Sequence, residues 1–254
     1  KDDGLYNFFF VMRILFTLFV AAHGLIHLMG YTKAFGLANI QQLTKEISRP
    51  AGIFWLLCVV LFISAAILFL LKKEWWLFLA IPAIMVSQVL IIMSWQDAKF
   101  GTIPNFLILL VIVTAIAQTR FNNMVNIEIK MLLEQPTVRK EMITDDKLNN
   151  LPAVVQTWLR KSGIIGKPVI QFVRLKQMGE MRTKQNSKWM MFSARQYFAV
   201  QKPQFVWQTT VQVLPMITLS GRDKFKNGQG HLLIKLLSLF TVAKSGNDEK
   251  MNSA

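Results

Sequence analysis

His23 and His27 are the residues whose type and spacing first suggest chemistry. They stand four apart in an apolar run, Phe8 to Gly30, that is otherwise broken only by Arg13. On a helix that spacing projects both rings from one face, where paired imidazoles can share a metal or face a haem. Ionisable groups at membrane depth are functional candidates in their own right. The plainer reading makes both rings neutral and hydrogen-bonded to a neighbouring helix, since no Cys, Asp or Glu stands beside them to complete a metal site. A second group lies in the short segment Trp95 to Asn105. There Gly101 permits a turn, Thr102 can cap a helix and Pro104 suits its first turn. Asp97, Lys99 and Asn105 are the candidate residues of this membrane loop, against the simpler reading that its charges pair or face water. Ser87 and Gln88, in a neighbouring apolar run, read as interhelical hydrogen-bond glue.

The second half offers a third group. Arg174, Arg182, Arg222 and Lys235 are interleaved with Trp189, Tyr197 and Trp207, and His231 is its one histidine. Cations among aromatic rings suit a nucleic acid, which they would stack on and neutralise. Next to a bilayer the nearer anion is a lipid headgroup, and each basic residue close to an anionic leaflet gains about 1 kcal/mol. These eight residues are therefore the candidate ligand set for a lipid-like amphiphile. In the structural alternative the aromatics are core and the cations a solvated face. Nucleophilic hydrolysis lacks a base beside an activated nucleophile, and neither a zinc-ligand cluster nor a phosphate-cradling glycine loop is present. The acid pairs Asp145 with Asp146 and Asp248 with Glu249 sit in polar connectors. No catalytic residue and no cofactor is implied.

The elements that must position these groups follow from the distribution of charge and grease. The chain has 254 residues, with 53% hydrophobic, 17% charged and a net charge of +15. Soluble domains carry about 25% charged residues. Up to Thr119 the net charge is +3; beyond it the net charge is +12. Four apolar runs, at about 8–30, 52–71, 75–95 and 103–119, approach or reach the roughly 20 residues that a membrane helix needs, and in lipid such runs must be helical. Trp55, Trp75, Trp76 and Trp95 stand near span ends, where an interfacial ring is favoured. Four spans place both termini on one side. Lys1, Lys72, Lys73, Arg120 and Lys130 flank that side against Lys33, Lys45, Arg49 and Lys99 on the other, a narrow lean toward a cytoplasmic C-terminal domain. Cys58 is the single cysteine, so no disulfide framework exists.

After Arg120 the pattern changes. Residues 121–149 read as a connector, interrupted by Pro136, with room for a short strand or helix. Asn150 is placed to cap a helix from Leu151, with Val154, Val155, Trp158 and Leu159 on one face. From Pro168 onward the period is two. It is clearest at Phe205 to Val213, where Phe205, Trp207, Thr209, Val211 and Val213 alternate with Val206, Gln208, Thr210 and Gln212, the signature of antiparallel strands. Asn227 and Gly228 signal a hairpin that joins Met216–Phe225 to the run beginning at His231. The greasy run Leu232 to Val242 reads as a last strand in need of cover. The expected architecture is a membrane α region, 1–120, then a connector and an α+β, mainly antiparallel β-sheet domain at 150–254 with one preceding helix.

Several of these residues also resemble a known family. Leu151, Pro152, Ala153, Val154, Val155 and Gln156, with Trp158, Leu159, Ser162, Gly163 and Gly166, begin the match. Val173, Arg174, Leu175, Gln177, Gly179 and Arg182, then Trp189, Phe192, Ala194, Gln196, Tyr197 and Phe198, continue it. Pro203, Phe205, Trp207, Arg222, Asp223, Gly228, Gly230 and Leu233 to Leu237 complete a resemblance to an uncharacterised bacterial family, a domain of unknown function. Some members carry an N-terminal membrane region with a segment similar to Ser87–Asn105. The resemblance implies no activity. It implies a chain that stops before a final Arg-, Leu-, Glu- and aromatic-rich block. The resulting expectation is a bacterial inner-membrane protein whose partners are the bilayer and a lipid-like ligand. The alternatives are a metal or haem redox protein using His23 and His27, and a non-catalytic scaffold for another membrane protein.

Overall fold

A computed structural model divides the chain into two compact units, Lys1–Ala115 and Ile116–Ala254, and describes residues 3–134, 141–214, 216–246 and 249. Pro136 and Asp248 lie outside the described residues. The first unit contains helices α1 (Asp3–Ile26), α2 (Leu28–Ala34), α3 (Arg49–Leu70), α4 (Trp76–Met93) and α5 (Trp95–Ala98), and the start of α6 (Thr102–Leu133). Four helical stretches, Phe10–Ala34, Arg49–Leu70, Trp76–Met93 and Trp95–Leu133, are long and apolar enough to cross a membrane. Their outer faces are apolar and exposed, as at Leu18, Val60, Phe78, Met85 and Phe106.

Inside the unit, small residues let the helices approach. Ala65, Ala66, Ala80 and Ala83 are buried. A Cβ added at Gly24 would lie 2.7 Å from that of Phe62, and one at Gly30 would overlap the Trp55 ring. Close backbone approach through small residues is how membrane helices gain packing energy when lipid is as apolar as they are. Ser48 caps α3 by accepting from Ala51 N–H at 3.4 Å, with Pro50 in the first turn. The interfacial reading fails for two of the four tryptophans. Trp75 and Trp95 are exposed, but Trp55 and Trp76 are turned into the helical core. Glycine on a facing helix opens a slot for Trp55 that a ring at the headgroup layer would leave empty.

The second unit is a six-stranded antiparallel meander in the order β1-β2-β3-β4-β5-β6. The strands are Phe172–Met181, Met190–Ala199, Gln204–Leu214, Ile217–Lys226, Gln229–Leu236 and Phe240–Gly246. Asn227 and Gly228 form the β4–β5 turn with φ of 53° and 76°, the left-handed pair that a two-residue hairpin requires. The run Leu232–Val242 is two strands rather than one. Leu237 and Ser238 take φ of 53° and 58° and reverse the chain, because buried Ser238 is held by Ser220 Oγ at 2.8 Å and Gln118 Oε1 at 2.7 Å.

Two further departures concern helices. Residues 121–133 are not a separate short element but the continuation of the fourth apolar helix, since α6 runs unbroken to Leu133. Its Phe121, Val125, Ile129 and Leu132 are buried against Ala199 and Val206, with Phe172, Tyr197 and Leu233 around them. Spacings of four, four and three make one helical stripe, and each such buried side chain contributes about 1.5–3 kcal/mol. Helix α7 spans Ala153–Lys161 and begins after Pro152 without a side-chain cap, later than Asn150 would place it. The residue before a proline is pushed out of the helical region, which holds Leu151 outside. Val154 and Trp158 on α7 are 82% and 66% exposed.

Candidate functional site

In the helical unit a cavity of about 290 Å³ is lined by residues that include His23, His27, Trp55, Ile91, Phe100 and Pro104. The two histidines are 4% and 2% exposed, and their rings meet edge to face at 5.0 Å. Phe62 packs on both, and Trp55 on His27. They are joined by hydrogen bonds to residues far away in sequence. His23 Nε2 lies 2.8 Å from Asn105 Oδ1, His27 Nε2 lies 2.8 Å from Ser87 Oγ, and His27 Nδ1 lies 2.9 Å from the His23 carbonyl. Asn105 Nδ2 donates to Ser87 Oγ at 3.0 Å and to Gln88 Oε1 at 3.1 Å, and Gln88 Nε2 donates to Thr102 Oγ1 at 3.1 Å. Three helices are tied in this way by α1, α4 and α6 side chains. Among the described residues no group of three or more His, Cys, Asp or Glu is arranged to hold a metal.

A strap covers one side of the cavity. Asp97 accepts from Thr44 N–H at 2.7 Å, Thr44 Oγ1 at 2.9 Å and Lys45 N–H at 3.3 Å. Lys33 Nζ donates to the Leu43 carbonyl, and Lys45 Nζ to that of Met93 at 3.1 Å. Leu43 is buried by this arrangement, and Gln42 and Leu43 join Asp97 in the cavity wall. Asp97 therefore anchors a loop, Asn105 belongs to the histidine network, and Lys99 lies over the Phe100 ring at 5.5 Å. The structure brings His23, His27, Ser87, Gln88 and Asn105 together. The strap partners Lys33, Thr44 and Lys45 carry no motif and were not foreseeable from spacing.

The eight candidates of the second unit do not converge on one site. The strand register puts Arg174, Tyr197, Arg222, His231 and Lys235 on the sheet face that α6 covers, and Trp207 on the other. Arg182 and Trp189 flank the β1–β2 turn, where the guanidinium stacks on the indole at 4.8 Å. Arg174 stacks on Tyr197 at 5.5 Å. Arg222 is engaged internally, 3.1 Å from Glu128 of α6 and donating to the His231 carbonyl at 2.9 Å. Lys224 shares Glu128 at 2.6 Å. Arg195 donates to Gln208, which donates to Asn122 of α6. Sequence reasoning passed over this α6 polar stripe, Gln118, Asn122 and Asn126, although its spacing of four was the available signal.

The opposite sheet face is mainly apolar, with Ala194, Thr209 and Val211 buried on it, Gln177 and Gln196 as polar members, and a set of larger apolar side chains partly exposed. Leu175, Phe192, Phe198, Phe205, Trp207, Leu219, Phe225, Leu232, Ile234 and Leu236 share it by register, and all are partly exposed. Trp207 Nε1 donates to Gln177 Oε1 at 2.7 Å. Asp223 is the one ionisable side chain that the described strands place there. Burial pushes its carboxyl above the usual carboxylate range, opposed by the Arg222 charge.

Residues 141–254 match the model of a family of unknown function, DUF6544. No curated protein and no solved structure matches the chain.

Proposed function

We propose that this is an integral protein of the bacterial inner membrane whose β-rich unit, on the cytoplasmic side, holds a lipid-like amphiphile at the membrane surface. The observation that carries the reading is the sheet face opposite α6, where partly exposed Phe, Trp, Leu and Ile side chains predominate and Asp223 is the one ionisable group among the described strands. Each methylene of an acyl chain laid on such a face would gain about 0.8 kcal/mol. Val154 and Trp158 of α7, in the same unit, are further exposed apolar side chains. Arg182, stacked on Trp189 at one end of the sheet, is the residue best placed for an anionic headgroup.

Photo-crosslinking of the full-length protein in its native membrane tests this. A p-benzoylphenylalanine at Phe205, on the mainly apolar face, is expected to form lipid adducts, and one at Lys176, on the opposite face, is not. Equal yields at the two positions, or no lipid adduct at 205, would remove the reading. A protein adduct at 205 would instead favour an assembly scaffold.

A further inference from the structure

Proton positions in the histidine network define what the neighbouring cavity can hold. A backbone carbonyl only accepts, so His27 Nδ1 carries the proton in its 2.9 Å bond to the His23 carbonyl. The neutral ring then offers Nε2 as an acceptor, and Ser87 Oγ donates to it from 2.8 Å. With the single hydroxyl proton of Ser87 used, Asn105 Nδ2 donates to Ser87 Oγ and, with its other hydrogen, to Gln88 Oε1. Asn105 Oδ1 must therefore accept from His23 Nε2, which leaves His23 Nδ1 unprotonated and able to accept. Every hydrogen-bonding atom named here except His23 Nδ1 is satisfied with both rings uncharged. Among the described residues no ion pair reaches either imidazole.

We infer that this cavity binds an uncharged, mainly apolar molecule bearing a hydroxyl group, of the phenol or alcohol class, whose O–H donates to His23. The body of the ligand would lie among Ile26, Trp55, Ile91, Phe100 and Pro104, which line the cavity with His23. An anion is disfavoured because no Lys or Arg lines the cavity, and the one charged group in its wall, Asp97, is negative. A cation is disfavoured because that carboxylate already accepts from Thr44 and Lys45. A volume of about 290 Å³ lies at the lower end of the roughly 300–1,000 Å³ usual for ligand sites, which suits a one- or two-ring body and excludes a diacyl lipid. The site is independent of the amphiphile reading of the sheet.

The test compares 2-naphthol with 2-methylnaphthalene, nearly the same shape without the hydroxyl, by equilibrium dialysis against the full chain in detergent. A buried acceptor left unpaired by the methyl analogue is expected to separate the two at least tenfold. Leu43→Trp fills the cavity from the strap without touching the network, and is expected to weaken 2-naphthol at least tenfold. Equal binding of the two probes by the unmodified protein, or undiminished 2-naphthol binding in Leu43→Trp, would overturn the assignment. The probe comparison needs no variant, so it decides the matter even if Leu43→Trp does not fold.

Discussion

Glu128 shows how much a single side chain can hold. It neutralises both Arg222 and Lys224 where all three are largely withdrawn from water. Removing one partner of a buried pair strands the other charge, at a cost of roughly 3 kcal/mol or more. Glu128→Ala is accordingly expected to lower the melting temperature of the second unit, followed by circular dichroism in the β region. Adding Arg222→Met to the same chain should recover part of the loss. Two carboxylates respond to pH in opposite directions. For Asp223 the folded-state pKa is raised, so its burial penalty is full when it is ionised in both states and disappears once pH falls below the ordinary 3.8. Asp223→Asn should thus stabilise the protein at pH 7 and give no gain below pH 3.8. Asp145 is held low by its bonds to Arg160 at 2.8 and 3.1 Å, so its contribution is present above the usual carboxylate range and lost as pH falls through the folded value. Denaturation curves of Asp223→Asn and Asp145→Asn from pH 3 to 8 check both signs. The histidines were legible as a pair because 23 and 27 share a helical face. Their partners Ser87 and Asn105 were visible only as polar residues in or beside apolar runs, since nothing in a linear pattern tells which helix stands opposite.

Among the elements, the strap depends on one carboxylate and the α2–α3 contact on one glycine. Asp97→Ala removes the acceptor for Thr44 and Lys45, and hydrogen exchange at those two amides should accelerate at least tenfold while the α3 core amides stay unchanged. Unchanged exchange at Thr44 would show that Lys33 holds the strap without help. Gly30→Ala would force a methyl into the Trp55 ring. Overpacking of that kind costs about 2 kcal/mol, measurable as a lower melting temperature in detergent. Strands were legible because period two is unambiguous from Phe205 to Gln212, although the register slips between Gln212 and Leu214 and takes Val213 out of the alternation, and the β4–β5 hairpin because Asn227–Gly228 admits few other conformations. The reversal at Leu237–Ser238 was hidden, since neither residue is the Gly or Asn that left-handed turn positions favour and the buried hydroxyl that fixes it finds its partners at Gln118 and Ser220. The length of α6 is hard to read because Gln118, Arg120, Asn122 and Asn126 resemble a polar connector in linear sequence, whereas on the helix Gln118, Asn122 and Asn126 form one stripe beside that of Phe121, Val125 and Ile129, and Arg120 faces away from it.

For the whole molecule, the net charge of +15 is not all free surface charge. Arg195, Arg222 and Lys224 are bound within the second unit. This reduces the cationic surface available to a nucleic acid and leaves Arg174, Lys176 and Arg182 among the exposed basic groups. The helical unit makes a topological prediction of its own. Gln41 and Lys73 lie in connections at opposite ends of α3, so in a Cys58→Ala background Gln41→Cys and Lys73→Cys should react with an impermeant maleimide from opposite sides of the membrane. The proposed orientation, with the β-rich unit cytoplasmic, expects Lys73 to react from the cytoplasmic side. Labelling of both from one side would require a different set of spans.

The order of the strands has a consequence for how the second unit is made. Each strand pairs with the one immediately before it in the chain, and the helix that covers one face, α6, is synthesised ahead of all six. A growing chain therefore never has to wait for a distant partner. Every hairpin can dock on a surface already present, and the long loop closures that slow most β proteins are absent from the described sheet. Assembly from β1 toward β6 leaves the greasy segment Leu232–Val242, in β5 and β6, among the later parts of the described sheet to emerge, after β4, the earlier partner of β5, is in place.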